Sequence, residues 1–336
     1  MDNKLFIITG AAGFLGQNLL QQLSAKNFRI RALIMPHETA IIQKYPNVEF
    51  IVGDITKKES LLGLFKNERG QEMVLIHGAS YISITQKNNY LLELVNVEGS
   101  KNIIELSAKS KVKRVVYISS THALPELPKG QVATEIANFD DSKVVGPYGK
   151  SKARASQLFV EAQSANLFEV IIIMPSGFIG PNAPQSDAMN QMLIKMINSK
   201  LPVSSKGGFD FVDIRDVATG IIAAALTAKK GENYILANKY YTFKEINENL
   251  ASLIKIKGPR FYLGKYLGYT IANILEFISA NSTKTPMLTK YAVYTAFQNS
   301  KYSHNKAIKD LDFKPRELKS TLKDVLNSLN QNNLKN

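Results

Sequence analysis

The chain has no cysteine and no tryptophan among its 336 residues. Without thiols, a disulfide scaffold, a thiolate zinc site and cysteine-based catalysis are all excluded. It also has no internal repeat, no low-complexity tract and no block of five like charges. Met1 to Lys4 run straight into an apolar segment, without the basic stretch, apolar run and small-residue cleavage site of a signal peptide, so a cytoplasmic location is the default expectation. What remains is an ordinary globular make-up: 45% hydrophobic residues and 42 Lys plus Arg against 28 Asp plus Glu. The excess charge of +14 is spread out, with 16 Lys/Arg and 7 Asp/Glu in residues 239–336. No nucleic-acid reading motif accompanies it, so no nucleic-acid partner is expected, and anionic lipid headgroups make better use of it. The length allows one large domain with something smaller attached.

From residue 4 to residue 174, apolar runs of five to seven residues alternate with helix-period stretches, the pattern of strand–helix units on a parallel sheet. Strands are predicted at Leu5–Thr9, Arg29–Ile34, Val48–Val52, Met73–His77, Arg114–Ser119 and Glu169–Met174. Several are polar only at their ends, which suits strands covered on both faces by helices. After Pro175 the pattern changes: loop-like sequence such as Gly180–Pro184 and Ser204–Gly208 separates helices, and one further strand is predicted at Tyr234–Ala237. The expected class is α/β, a doubly wound parallel sheet in residues 1–175, with a smaller substrate lobe formed mainly by residues 176–330. Elements after residue 209 are expected to return in part to the sheet.

TGAAGFLG, residues 9–16, directly follows the first strand and opens a helix whose apolar face includes Leu15, Leu19, Leu20 and Leu23. Glycines at 10, 13 and 16 permit a tight turn, close approach to a pyrophosphate and close helix–sheet packing, while the helix start offers unpaired N–H groups. This is the Rossmann-type dinucleotide site, with Gly10, Gly13, Phe14, Leu15 and Gly16 as its expected contacts. The spacing G-x-x-G-x-x-G resembles the extended branch of the short-chain dehydrogenase/reductase superfamily. That resemblance implies further contacts: Asp54 and Ile55 of VGDI at the adenine, His77-Gly78-Ala79 where the chain passes the pyrophosphate, and Asn96 of VNVEGS in a structural and proton-relay role. An acid accepting the ribose 2′-OH normally ends the second strand. Here Ile34 and Met35 hold those places, with Arg31, His37 and Glu38 nearby. NAD or NADP is expected, and the missing acid favours NADP.

YISSTH, residues 117–122, ends the fifth strand, and YGKSK, residues 148–152, opens the next helix. Tyr148 and Lys152, four apart, share one helix face. A phenol titrates near pH 10, too high for easy proton exchange at neutrality, and a neighbouring ammonium favours its ionised form. By the resemblance, Ser120 orients the substrate oxygen, with Thr121 as a fallback. Tyr148 is the acid/base, and Lys152 holds the nicotinamide ribose and lowers the phenol pKa. MPSGFIGP, residues 174–181, resembles the loop that passes the nicotinamide, with Pro175 and the backbone near Phe178 on the carboxamide. Relatives usually have Arg where this chain has Met174.

Within that branch, the sugar dehydratases carry Thr-Asp-Glu where Ser120-Thr121-His122 stand. Sugar epimerases often place an Arg for the substrate diphosphate where Phe209 stands. FVDIRDVA, residues 211–218, resembles the version in members similar to 3β-hydroxysteroid dehydrogenases and dihydroflavonol reductases, although its charges also suit an internal ion-pair network. In residues 258–280, Leu263, Leu267, Ile271, Ile274 and Ile278 recur at helical spacing, while Lys265, Asn273 and Glu276 argue against a bilayer span. A helix lying on a membrane surface, a lid over an apolar pocket and a core helix of the small lobe all fit. The expected activity is interconversion of a secondary alcohol and a ketone on a fairly apolar small molecule, with His122, Phe178 and Phe209 in the pocket wall. A nucleotide-sugar epimerase and a nicotinamide-sensing binding module are the alternatives. No metal is expected, and relatives often form homodimers.

Overall fold

The computed structural model describes residues 3–41, 45–83, 89–184, 187–198, 203–254, 258–279 and 288–333. The first half alternates as the apolar runs require: β1 (Lys4–Thr9), α1 (Phe14–Ala25), β2 (Arg29–Ile34), β3 (Val48–Val52) and β4 (Glu72–His77). A short α2 (Asn89–Leu91) then continues through a π-helical segment, Leu92–Glu98, into α3 (Gly99–Lys109). β5 (Arg114–Ile118), α4 (Pro147–Ser164) and β6 (Glu169–Pro175) complete this half.

β1 to β6, joined by β10 (Asn233–Leu236), form one seven-stranded sheet in the order β3-β2-β1-β4-β5-β6-β10. All six pairings are parallel. Alternate side chains feed two cores. Leu5, Ile7, Leu75, Val115 and Tyr117 pack on one face, and Phe6, Ile8, Ile76, Val116 and Tyr234 on the other. Burial on both faces explains why these strands read as continuous apolar runs.

The second half is richer in strands than its sequence pattern suggests. Besides β10 it has β7 (Gly177–Ile179), β8 (Val203–Ser205), β9 (Gly208–Asp213), β11 (Lys239–Thr242) and β12 (Phe261–Leu263). Ser204–Gly208, expected as a loop, contributes to β8 and to the start of β9. β11, β9 and β7 form a three-stranded sheet, and β12 pairs with β8. Segments of three or four residues carry too little alternation to register as strands, and their pairing partners are distant in sequence. The helices are α5 (Ala188–Ile197), α6 (Ile214–Thr227), α7 (Phe243–Leu253), α8 (Lys265–Ile278), α9 (Lys290–Phe297), α10 (Asn305–Leu311) and α11 (Leu318–Asn333). A third core of Ile179, Leu193, Phe211, Phe243, Ile246 and Leu322 holds this lobe together. β10 and α6 return to the first half: β10 extends the sheet beside β6, and Val217 and Ile221 of α6 share a core with Leu19 and Leu23 of α1.

Asp213, Arg215 and Asp216 serve as fasteners. Asp213 accepts hydrogen bonds from Arg215 Nη2 at 2.7 Å and Thr321 Oγ1 at 2.7 Å, while Asp216 pairs with Arg316 at 2.6 Å. This network ties β9 and α6 to the start of α11. None of the three residues lines the large cavity.

The packing of α1 on β1 sets a sharp size limit. A Cβ on Gly16 would lie 2.1 Å from the Gly10 carbonyl oxygen, whereas one on Gly63 would meet only the Ile51 side chain at 3.7 Å. Gly16→Ala is therefore expected to destabilise the protein by about 1–3 kcal/mol, the usual cost of overpacking. Gly63→Ala should be near neutral. Thermal unfolding of both variants checks the contrast.

Candidate active site

β1 and β4 are neighbours whose following connections leave to opposite sides, so a crevice opens beyond their carboxyl ends, the usual ligand position in such sheets. A cavity of about 1320 Å³ begins there and runs into the second lobe. Gly10 turns the chain at φ +71°, and a Cβ there would lie 2.8 Å from Ala79 N. Gly13 caps α1 without any side-chain hydrogen bond, so the first-turn N–H groups keep no internal cap. Gly10, Gly13, Phe14, Leu15 and Gly16 all line the cavity, as do Asp54, Ile55, Gly78 and Ala79. The Asp54 carboxylate accepts from Thr56 N at 2.9 Å and Thr56 Oγ1 at 2.8 Å, fixing the turn after β3.

His77 and Asn96 do not line the cavity; they hold its walls. His77 Nδ1 lies 2.7 Å from Thr9 Oγ1, and its Nε2 lies 3.3 Å from Ser100 Oγ. Burial first, and then the charge on Lys152, lowers its pKa to about 3, so the ring is neutral. Thr9 Oγ1 also accepts from Ala79 N at 3.1 Å, clasping the ends of β1 and β4. Asn96 sits in the π-helical segment, a feature common where a helix must re-aim a side chain. Its Oδ1 accepts from Tyr81 N at 2.7 Å and Ser80 Oγ at 3.2 Å. Its Nδ2 donates to Tyr81 O at 3.0 Å and Ser151 Oγ at 2.9 Å. The loop after β4 is thereby fastened to α4.

α4 starts with Gly146 at φ +83° and Pro147 in its first turn, a start that suits a helix opening abruptly. Tyr148 and Lys152 therefore face the cavity one turn apart, and Ser120 meets them from the end of β5. The hydroxyls of Ser120 and Ser80 stand near the Tyr148 phenol and favour its ionised form. Ser120 Oγ also accepts from His122 N at 3.1 Å, and the His122 ring stands edge-on to Tyr148 at 6.0 Å. Lys152, 2% exposed, donates from Nζ to the Ile118 carbonyl at 2.6 Å and lies 4.5 Å above the Tyr117 ring.

Burial dominates both titrations. It lowers Lys152 to about 7 and raises Tyr148 to about 12, with the two serine hydroxyls offsetting only part of the rise. The phenol was expected to be pulled down by the ammonium and the ring of an oxidised nicotinamide together. With Nζ turned to the Ile118 carbonyl, desolvation prevails and Tyr148 keeps its proton at neutral pH.

Pro175 and Phe178 line the cavity beside this cluster, and the Phe178 ring lies 6.3 Å from that of Phe14. Met189, Met192, Met196, Phe209, Phe243 and Ile271 line the part of the cavity in the second lobe. Sequence reading missed the methionines, although their spacing of three and four residues on α5 was a usable signal. It also missed Thr9, Ser80 and Tyr291, which reach the site only because strands and helices distant in sequence converge.

The depressed Lys152 pKa makes stability depend on pH. Between about 7, its folded value, and 10.5, its ordinary value, the unfolded chain binds more protons, so stability gains from this residue as pH rises. Relative to wild type, Lys152→Met is expected to be most stable near pH 6 and to lose that advantage towards pH 10. Unfolding midpoints at matched pH test this, and a pH-independent difference would contradict it.

The model of the NAD dependent epimerase/dehydratase family matches residues 6–237. A Synechocystis protein provisionally named a dihydroflavonol 4-reductase is 27% identical over 96% of this chain and 93% of its own length. The sterol-4-alpha-carboxylate 3-dehydrogenase ERG26 of Saccharomyces cerevisiae is 24% identical over 92% of this chain and 93% of its own. Among solved structures, the crystal structure of gox2253 covers 98% of both chains at 26% identity with a TM-score of 0.82. The glycine loop at the β1–β4 crevice, with a tyrosine and a lysine one turn apart facing it, agrees with these matches: the chain belongs to the NAD dependent epimerase/dehydratase family and is an enzyme of the extended short-chain dehydrogenase/reductase type.

Proposed function

We propose that the enzyme interconverts a secondary alcohol and a ketone on a fairly apolar small molecule, with Tyr148 as acid/base, Ser120 positioning the oxygen and Lys152 holding the nicotinamide ribose. The observation that carries this reading is the far end of the cavity. Met189, Met192, Phe209, Phe243, Ile271 and Val293 wall it, and among the described lining residues Lys152 is the one Lys or Arg. A nucleotide-sugar diphosphate there would be desolvated without a cation to pair with it, which is costly. An apolar ketone loses nothing. The yeast relative is named for a sterol carboxylate, an apolar ring system with one charged group.

The residues fit a nicotinamide dinucleotide. Gly10 leaves its loop without a Cβ where one would strike the neighbouring backbone, and α1 starts with unpartnered N–H groups. When bound, the nicotinamide gives a hydride to the carbonyl carbon or takes one from the alcohol carbon. Ser120 Oγ donates to the substrate oxygen and holds it beside the phenol. In the reducing direction Tyr148 passes its proton to that oxygen, and the protonated state at neutral pH suits this direction. Ser80, held by Asn96, keeps the phenol aimed.

The outer face of α8 supports contact with an anionic lipid surface as the route by which an apolar substrate arrives. Tyr266 is 88% exposed, Phe277 85% and Ile278 72%, while Gly268 and Ile271 of the same helix line the cavity. The exposed cations Arg260 and Lys265 stand beside them. Among the described residues no helix is long and apolar enough to cross a membrane. A surface-lying helix with cationic flanks meets the physical requirement.

Two experiments test these readings. Tyr148→Phe is expected to lower ketone reduction by about 10²–10⁴-fold, the usual contribution of a positioned acid, with cofactor affinity little changed. Turnover of nucleotide sugars without net consumption of reduced cofactor would favour the epimerase, and function surviving the substitution would favour a sensor. The double variant Phe277→Ser, Ile278→Ser is expected to abolish co-sedimentation with vesicles containing phosphatidylserine. If the wild type does not sediment with them, or if the same substitutions instead dissolve a dimer, the lipid reading fails.

A further inference from the structure

Helix α5 has two unlike faces. On one, Leu193 lies fully buried in the third core, and Asn190, 2% exposed, anchors the helix start. The Asn190 Oδ1 accepts from Gly180 N at 3.4 Å, while its backbone N–H and side-chain amide both donate to Asp187 Oδ1 at 2.8 Å. The adjacent face carries Met189, Met192 and Met196, spaced by three and four residues, and all three line the cavity. Met189 reaches the loop beside Pro175, where its Cε would stand 3.7 Å from a Cβ on Gly177. Met196, seven residues on, lies about 10 Å farther along the helix axis. The methionine face therefore runs from the loop beside the catalytic cluster into the second lobe.

The surroundings of that face are stiffer. Phe209 stands edge-on to Phe211 at 6.1 Å and to Phe243 at 5.7 Å, and Val293, a β-branched residue on α9, is buried. Phe209, Phe243 and Val293 line the same cavity. Such rings and branched side chains cannot swing without disturbing the close packing behind them. Methionine differs: it is unbranched and flexible and carries a polarisable sulfur, so it fills irregular gaps and packs again around different shapes. With the start of α5 bonded in place, adjustment falls to the methionine tips rather than to the helix. A rigid apolar pocket discriminates by about 10–200-fold over a single methylene, and an adaptable wall flattens that difference.

We propose that Met189, Met192 and Met196 set the substrate range of this enzyme: they form an adaptable wall that lets one catalytic cluster serve uncharged ketones whose apolar parts differ in shape. This rests on the reading that the enzyme interconverts a secondary alcohol and a ketone on an apolar molecule. Met189 and Met192 also pack against the third core, and Met196 belongs to it. A merely structural role as core filling has therefore to be separated from a role in specificity.

The separating quantity is discrimination by shape alone. The full-length protein, supplied with both NADH and NADPH, is assayed on two isomers, 4-butylcyclohexanone and 4-tert-butylcyclohexanone, which carry the same atoms in a slender and a compact arrangement. Wild type is expected to show kcat/KM values for the two within about tenfold of each other, below the range of a rigid pocket. The triple variant Met189→Leu, Met192→Leu, Met196→Leu keeps volume and apolarity but replaces flexible tips with branched ones. It is expected to hold the better-fitting isomer near the wild-type value and to lose at least about tenfold on the other. Met192→Leu alone, expected to lose about threefold on the same isomer, serves as the test if the triple variant fails to fold. A wild-type ratio above about tenfold overturns the proposal. So does a variant whose ratio matches wild type, including one that slows both isomers equally, since that is the signature of packing alone. Reduction of neither isomer by wild type overturns the underlying alcohol–ketone reading, and the proposal falls with it.

Discussion

Lys152 Nζ donates a buried hydrogen bond to the Ile118 carbonyl at the end of β5, and much of the site hangs from it. The bond seats the first turns of α4 against the carboxyl end of β5, beside the cavity. Tyr148, one turn earlier, is thereby held within reach of Ser120, whose position is fixed by the same strand end. Ser119 Oγ, 2.7 Å from Ser156 Oγ, stitches the next turn of α4 to the strand. Burying an ammonium is costly, and a single carbonyl with an aromatic face offsets the cost only in part. The lowered Lys152 pKa is the visible remainder of that cost.

Around this anchor the walls of the cavity are held by groups that never reach its interior. Neutral His77 clasps Thr9 and Ser100, and Asn96 uses its whole amide on the loop after β4 and on Ser151. A positioned hydroxyl pair, Ser80 and Ser120, then brackets the phenol. Precision at Tyr148 thus comes from several elements, each fixed by buried hydrogen bonds that have no water to compete for them.

The sheet was legible in the sequence because most of its strands are buried on both faces and so read as apolar runs; all seven strands begin and end within one residue of expectation. The glycine loop and the Tyr148–Lys152 pair were legible because their chemistry is encoded in local spacing. The second lobe was not. β7, β8 and β12 are three residues each and owe their existence to distant partners, so nothing local announces them. The upward shift of Tyr148 was not legible, because residue types show which charges are near but not how deeply a group is buried.

The central claim is that the crevice at β1 and β4 and the apolar chamber beyond it are one reaction vessel, in which hydride passes directly to an uncharged carbonyl carbon. Incubation with reduced cofactor deuterated at nicotinamide C4, an apolar cyclic ketone and the wild-type protein, followed by mass spectrometry of the alcohol, reads that transfer. The expected result is one deuterium on the carbinol carbon, from one face of the nicotinamide. Alcohol carrying no deuterium from either face, or label appearing only in a nucleotide sugar, would contradict the account.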